Sequence, residues 1–289
     1  MFAVIGNPTF DLIRTPQRSD KAIGGGVTYA TLTLLSLGER VSVWGKGDRN
    51  IQSFLRNQGA DVSCFQPTLT CTFENIYESG ERRQRAQLGE AFREEEIPKD
   101  IPCSAVLYTP VLCELQDVQC SRRGTSLSAV DLQGFMRHLA ADGSVSLSET
   151  HQTWEAVRLC DVVKLDNFEA AALTCKQDPQ EALHELLEVA KGMVLLTMAE
   201  RGAYLGAAGK AWRIRPPNVD VLDATGAGDV ALAAFISEFL KTSDPLHAAR
   251  YSTCAASLSV EGFGLSGIPI PALVQDRLTE VKCEETIRH

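Results

Sequence analysis

The stretch VLDATGAGDVALAAF, residues 221–235, joins a glycine-rich turn directly to an apolar helical run. Gly226, Ala227 and Gly228 carry almost no side chain, so a ligand can approach their backbone N–H groups closely. The N-terminus of a helix has unpaired donors and a partial positive charge, and it therefore binds anions, phosphate above all. The turn lacks both the GxGxxG pattern of dinucleotide-binding loops and the GK[ST] ending of Walker loops. It predicts an anion site of another kind.

Asp229 closes this turn and carries the most information. A carboxylate beside a phosphate site repels the ligand, unless it holds a metal ion or accepts a proton. A kinase that acts on a hydroxyl needs such a group: backbone amides stabilise the transferring phosphoryl group, and the carboxylate receives the proton of the alcohol. A simpler interpretation is that Asp229 complements the helix dipole and the glycines only make a tight turn. This segment alone leaves both interpretations open.

Strand-like and helix-like apolar runs alternate along the chain, which predicts an α/β fold with a central, mostly parallel sheet flanked by helices. Strands are predicted at 2–6, 40–48, 60–65, 105–111, 127–134, 161–166, 193–199 and 219–223, with a hairpin at 202–217. Helices are predicted at 27–38, 50–59, 167–174, 179–190, 228–241 and 245–262. We expect residues 1–289 to form one such domain.

The stretch 68–92 departs from this rhythm, because apolar and polar residues alternate on both sides of a Ser-Gly pair. This pattern predicts a hairpin with one apolar face. We expect the hairpin to project from the main sheet as a small β lid, together with residues 10–20. An antiparallel edge of the main sheet is the alternative.

Composition excludes several classes of protein. The 289 residues are 44% hydrophobic and carry a formal charge of −9, which disfavours disorder and a nucleic-acid-binding surface. The nine cysteines are odd in number and lack CxxC spacing, so free thiols in a reducing compartment are expected. No run approaches the ~20 apolar residues of a membrane span, and the first residues do not resemble a signal peptide. We expect a cytoplasmic globular protein.

DATGAGD, residues 223–229, resembles the C-terminal signature D-T-x-G-A-G-D of the ribokinase-like (pfkB) carbohydrate kinases. The resemblance implies an ATP-dependent kinase that phosphorylates a hydroxyl of a small sugar, an inositol-like polyol or a nucleoside. It also implies that Asp229 is the catalytic base and that the amides of Gly226, Ala227 and Gly228 form an anion hole.

Further segments resemble the family on the side of the phosphoryl acceptor. GNPTFD has Asp11 where the family has an aspartate that binds substrate hydroxyls, and GGGVTYATLTLLSLG, residues 24–38, resembles the first glycine-rich motif. The resemblance implies that Gly24 and Gly25 lie close to the substrate. Tyr29 takes the place of an Asn that binds sugar hydroxyls, so the sugar specificity of the family does not carry over.

Other segments resemble the family on the side of the phosphoryl donor. VKLDNFEA, residues 163–170, resembles the N-x-x-E segment, which assigns Glu169 to Mg²⁺ and Asp166 to the nucleotide site. LTMAERGAYL resembles T-x-G-x-x-G, which gives Thr197 and Gly202 as nucleotide-binding residues. DLQGFMR, residues 131–137, resembles a segment found near the phosphates. A homodimer paired through the lids is also implied, whereas a requirement for a monovalent cation stays open.

Three substitutions at family positions keep a second class of function open. Ala224 replaces Thr in the signature, Asp166 replaces Asn in N-x-x-E, and Ala199 replaces the first Gly of T-x-G-x-x-G. Together with Tyr29 they are compatible with a non-catalytic ligand-binding or regulatory protein on a kinase fold. The retained Asp229 argues against it, because such a protein needs no carboxylate in its anion hole. A nicotinamide-dependent oxidoreductase is disfavoured by the missing GxGxxG.

Overall fold

A ten-stranded sheet runs through the centre of the protein. The computed structural model describes residues 1–14, 19–78, 81–98, 100–118 and 127–286. The strands of the described chain are β1 (Phe2–Ile5), β2 (Thr9–Arg14), β3 (Ser19–Gly24), β4 (Val41–Gly47), β5 (Asp61–Pro67), β6 (Cys71–Glu78), β7 (Glu81–Gln87), β8 (Ala105–Tyr108), β9 (Leu127–Asp131), β10 (Arg137–Leu139), β11 (Val145–Leu147), β12 (Val162–Asp166), β13 (Met193–Thr197), β14 (Ala203–Ala207), β15 (Lys210–Arg215) and β16 (Lys282–Thr286). The helices are α1 (Gly26–Ser36), α2 (Arg49–Asn57), α3 (Gln133–Met136), α4 (His151–Leu159), α5 (Asn167–Thr174), α6 (Pro179–Val189), α7 (Ala227–Thr242), α8 (Pro245–Ser259) and α9 (Pro271–Arg277).

The strand order of the central sheet is β16-β15-β14-β13-β12-β9-β8-β1-β4-β5. The strands from β13 to β5 in this order pair in parallel, and β14, β15 and β16 add an antiparallel edge. Alternate residues of each strand face opposite layers: Phe2 and Val4 pack into a core with α1, α7 and α8, whereas Ala3 and Ile5 pack into a core with α4, α5 and α6. The predicted α/β class is confirmed.

A separate four-stranded sheet, here called the outer sheet, has the order β3-β2-β6-β7. It contains the predicted hairpin, which is β6 and β7, and a second hairpin of β2 and β3. A small core of Cys71, Phe73, Val111 and Leu112 joins it to the rest of the protein. The predicted lid segments 10–20 and 68–92 fall on this sheet, except that residues 15–18 and 79–80 lie outside the described chain.

A buried lysine ties the base of the outer sheet to the central sheet. Lys46 of β4 is fully buried, and its Nζ lies 3.0 Å from Oε1 of Glu90 and 2.7 Å from Oε2 of Glu96. The second oxygen of Glu90, Oε2, accepts a hydrogen bond of 2.6 Å from the hydroxyl of Thr68. The segment before β6, which contains Thr68, and the segment after β7, which contains Glu90 and Glu96, are therefore linked through the ammonium group of Lys46.

The predicted strand 219–223 was wrong, because residues 216–226 form no strand. Pro216 and Pro217 cannot donate backbone hydrogen bonds to a neighbouring strand. Val221 and Leu222, whose apolar side chains suggested the strand, are 60% and 54% exposed. The N–H groups of Leu222 and Asp223 donate to the carbonyl of Val260 instead. The predicted strand 127–134 is likewise shorter, since it ends at Asp131 and α3 begins at Gln133.

Two expectations from composition can be compared with the described chain. Its cysteines are all free thiols, as expected, with Cys120 outside the described residues. None of the helices in the described ranges has the length and apolar character needed to cross a membrane.

Candidate functional site

Asp229 lies in the first turn of α7, near the carboxyl ends of the parallel strands, where ligands bind in open α/β sheets. Its side chain is buried, with 8% of the residue exposed. The backbone of α1 packs against it: a Cβ on Gly26 would lie only 2.6 Å from Oδ1 of Asp229. The side-chain amide of Gln133 donates to the same oxygen at 3.3 Å. The carboxylate is thus held between two elements that are far apart in the sequence.

The surroundings of Asp229 favour its neutral form. Burial raises its pKa to about 7, the nearby carboxylates of Asp131 and Asp11 raise it as well, and Lys164 and Arg137 lower it. A carboxyl group with a pKa near neutrality accepts a proton at physiological pH more readily than an ordinary aspartate. The position therefore suits a general base.

The turn that leads into α7 has an open backbone. Gly226 adopts the left-handed region, with φ of 79°, and packs directly against the ring of Tyr29. Within the described chain, the N–H groups of Gly226 and Gly228 meet no hydrogen-bond acceptor, whereas that of Ala227 donates to the carbonyl of Ala224 at 3.3 Å. Two of the three amides predicted for the anion hole are thus available to a ligand.

The predicted acceptor residues lie together on the other side of Asp229. Asp11 of β2 accepts a hydrogen bond of 2.8 Å from the hydroxyl of Thr9. Gly24, at the end of β3, packs so closely against the carboxylate of Asp11 that no side chain would fit. Gly25 has φ of 87° and packs against the backbone of the β1–β2 turn.

Tyr29, predicted to lie on the acceptor side as a substrate-binding residue, is almost fully buried, with 4% of the residue exposed. Burial raises the pKa of its phenol, and the carboxylates of Asp11, Asp223 and Asp229 raise it further. Its ring packs against the backbone of the turn at Gly226, and its hydroxyl group lies near Gly264. Tyr29 thus lies between the acceptor side and the turn.

A cavity of about 670 Å³ opens on the donor side of Asp229. It brings together every residue predicted for the nucleotide and metal: Asp166, Glu169, Thr197, Gly202 and the turn from Gly226 to Asp229 all line it.

Glu169 and Asp166 form a reciprocal cap at the start of α5. Oε2 of Glu169 accepts from the N–H of Asp166 at 2.8 Å, and Oδ1 of Asp166 accepts from the N–H of Glu169 at 2.8 Å. Burial raises the pKa of Glu169 to about 7, with Lys164 lowering it and Asp166 raising it. The cap fixes the direction of both carboxylates toward the cavity.

The sequence analysis placed the segment 131–137 near the phosphates without giving Asp131 or Gln133 a role of its own, and it did not single out Lys164. Nζ of Lys164 lies 2.8 Å from Oδ2 of Asp131 inside the protein, and Lys164 also lines the donor cavity. A lysine within the apolar run VVKLD was a visible signal, since a charged residue in a buried strand needs a partner. Its partner could not be identified without the pairing of β9 with β12.

Part of the chain matches a known protein family. Residues 136–273 match the model of the pfkB family carbohydrate kinases. Ribokinase of Staphylococcus aureus (strain COL) is 28% identical over 123 residues, 40% of this chain and 40% of that protein. The 1-phosphofructokinase of Escherichia coli (strain K12) is 33% identical over 84 residues, 29% of this chain and 27% of that protein. These matches span two fifths or less of the relatives' length.

Solved structures show the fold over a much larger share of the chain. A pyrophosphate-dependent kinase in the ribokinase family, complexed with a pyrophosphate analog and myo-inositol, has a TM-score of 0.83 at 23% identity and covers 96% of this chain and 100% of its own. Ribokinase of Arabidopsis thaliana, complexed with ribose and ATP, has a TM-score of 0.79 at 18% identity, with 96% and 98% covered. The resemblance that DATGAGD suggested is confirmed: residues 136–273 carry a pfkB family carbohydrate kinase domain, in a chain with the ribokinase fold.

Proposed function

We propose that this protein is an ATP-dependent kinase that phosphorylates a hydroxyl group of a small sugar, an inositol-like polyol or a nucleoside. One observation carries the proposal. The buried carboxylate of Asp229 stands between the donor cavity and the group formed by Asp11, Gly24 and Gly25, next to the open amides of Gly226 and Gly228. A phosphoryl group in the cavity and a hydroxyl beside Asp11 would both reach it. The kinase relatives support this reading.

Each group has a role in the proposed reaction. Asp11 accepts hydrogen bonds from other hydroxyls of the acceptor and orients it. Asp229 takes the proton from the attacking hydroxyl group of the acceptor. At the same time the oxygen of that hydroxyl forms a bond to the γ-phosphorus of ATP, and the bond between the γ-phosphorus and the β-phosphate oxygen breaks. The N–H groups of Gly226 and Gly228 donate to the charged oxygens of the transferring group. ADP and the phosphate ester of the acceptor are the products.

Asp166 and Glu169 fit a hydrated Mg²⁺ ion carried on the phosphates of ATP. The cap at the start of α5 uses Oδ1 of Asp166 and Oε2 of Glu169, so the second oxygen of each carboxylate can accept from metal-bound water. The described residues hold no cluster of three or more potential metal ligands, as suits an ion that takes one or two carboxylates and keeps several waters. When bound, the ion would neutralise phosphate charge.

The outer sheet is proposed to act as the lid of the site. It carries Asp11 on β2 and is joined to the rest of the protein beside the site, so its approach would shield the acceptor from water and limit hydrolysis of ATP. Pairing of two outer sheets into a homodimer follows from the family resemblance and is tested by the molar mass in solution, measured by light scattering.

The proposal is tested by measuring ADP release with a panel of sugars, inositols and nucleosides, with and without K⁺, using wild type and Asp229→Asn. We expect turnover with at least one acceptor and a loss of at least 10³-fold in the variant. A parallel assay with pyrophosphate as donor tests whether ATP is the donor. If wild type binds a ligand yet turns over none of the acceptors with either donor, the protein is a binding protein on a kinase fold and the kinase proposal is wrong.

A further inference from the structure

We propose that Lys164 is a positioning residue that supplies a buried positive charge beneath the anion hole and opposes the burial that favours the neutral form of Asp229. The inference rests on the proposed kinase function for its role in turnover. Its electrostatic part concerns the folded protein alone and can be measured without turnover.

The first observation is where the ammonium group of Lys164 lies. Its side chain is only 6% exposed, and it reaches from β12 to the backbone of the turn. A Cβ on Gly228 would lie 2.6 Å from Nζ and 3.1 Å from Cε of Lys164. The ammonium therefore lies against the backbone of the anion hole from inside the protein, and a side chain at position 228 would displace it.

The second observation is the balance of charge around this ammonium. The carboxylates of Asp131, Glu169 and Asp229 all lie close enough to the ammonium to interact with its charge. Among the described residues, only Asp131 forms an ion pair with it, at 2.8 Å. A single buried cation thus serves three buried carboxylates, two of which are predicted to work in the reaction.

The groups that face Asp229 come from five elements. Asp11 on β2 and Asp131 on β9 disfavour its charge, Lys164 on β12 and Arg137 on β10 favour it, and Tyr29 on α1 is uncharged at neutral pH. Arg137 is shared with other contacts, because it donates to the carbonyl of Val111 and lies over the ring of Phe73. Of the two cations, Lys164 is the one enclosed by the protein, where solvent screens its charge least.

Lys164 and Asp131 provide a matched pair of variants with opposite expected effects. Lys164→Met removes the positive charge, so the pKa of Asp229 rises by about 1 to 3. Asp131→Asn removes a negative charge, so the pKa of Asp229 falls. Both variants break the same buried ion pair, and a purely structural role would not move the pKa in opposite directions.

The experiment measures kcat/KM against pH for wild type, Lys164→Met and Asp131→Asn. In parallel, the carboxyl carbon of Asp229 is titrated by NMR in protein labelled with ¹³C-aspartate and assigned by its absence in Asp229→Asn. We expect the acidic limb and the NMR midpoint to move up in Lys164→Met and down in Asp131→Asn. If Lys164→Met does not fold, the double variant Lys164→Met/Asp131→Asn, which removes both members of the ion pair, is compared with Asp131→Asn, and its midpoint must be the higher one.

Midpoints that stay in place, or move in the same direction in both variants, overturn the inference. Failure of the kinase proposal has a different signature, since wild type would then show no turnover while its NMR titration still reports the effect of Lys164. Shifted midpoints in an inactive protein would confirm the electrostatic role and reject the catalytic one.

Discussion

Replacing Asp229 by Asn should abolish turnover and at the same time stabilise the protein at neutral and alkaline pH. The fold raises the pKa of this carboxyl group from 3.8 to about 7, chiefly by burial. Between these two values the folded protein keeps a proton that the unfolded chain has released, so wild type loses stability as the pH rises through this window. Asn is neutral at every pH and does not incur this loss.

The expected magnitude follows from the two pKa values. At about 1.4 kcal/mol per pH unit, the gap between 3.8 and about 7 amounts to about 4 kcal/mol as an upper limit at pH 8. The stability difference between variant and wild type should therefore be small near pH 4 and approach a few kcal/mol at pH 8. Glu169, whose pKa burial also raises to about 7, is present in both proteins, which differ only at position 229.

The assay is urea unfolding at pH 4, 6 and 8 for wild type, Asp229→Asn and the control Asp276→Asn, an exposed aspartate on α9. The control measures the effect of losing a surface carboxylate. If the free energy of unfolding of Asp229→Asn differs from that of wild type by the same amount at all three pH values, the carboxyl group is not perturbed as described, and its assignment as a base tuned by burial is refuted.

Three further substitutions test other parts of the site. Gly226→Ala places a methyl group into the ring of Tyr29 at φ of 79°, so we expect it to lower the unfolding free energy by more than about 2 kcal/mol. The control Gly38→Ala has φ of 81° and nothing within 4 Å, so it should lower the unfolding free energy by only about 1 kcal/mol. Equal losses in urea unfolding would contradict the contact with Tyr29. Asp11→Asn should raise KM for the acceptor by about 10-fold or more and leave KM for ATP unchanged, as steady-state kinetics will show, and an effect on ATP alone would place Asp11 on the donor side. Glu114→Gln should lower the unfolding free energy by about 1–3 kcal/mol. The buried carboxylate of Glu114 accepts hydrogen bonds from the backbone N–H groups of Asn7, Val111 and Leu112, and the single amide oxygen of Gln cannot accept all of them. An unchanged urea midpoint would contradict this.

The sequence predicted the fold class and the grouping of the candidate site because both depend on local patterns. Strand and helix periodicity indicates a parallel sheet, and the carboxyl ends of its strands meet at one edge, which is where DATGAGD and VKLDNFEA begin their helices. The prediction of a strand at 219–223 was wrong, and the reason is also local. Val221 and Leu222 favour a strand, but two prolines precede them, and the N–H groups of Leu222 and Asp223 donate to the carbonyl of Val260 and not to a strand.

Contacts that join distant segments could not be predicted in the same way. Lys164 and Asp131 are 33 positions apart, and Gln133 and Asp229 are 96 apart. Each pair depends on which strands are neighbours and in which register, and the register pairs Lys164 with Asp131 across β12 and β9. The buried position of Tyr29 likewise depends on how α1 packs against the turn before α7.

The ammonium of Lys46 has a consequence for how the outer sheet can move. Because Glu90 is bonded both to Lys46 and to Thr68, the segments that lead into β6 and out of β7 are fastened together. The hairpin of β6 and β7 should then move as one body about its base, because separating its two ends breaks the contacts of Glu90 and Glu96 with the buried ammonium of Lys46. Hydrogen exchange should then report slow, concerted opening of the amides around residues 90–96, even while the far end of the hairpin exchanges quickly.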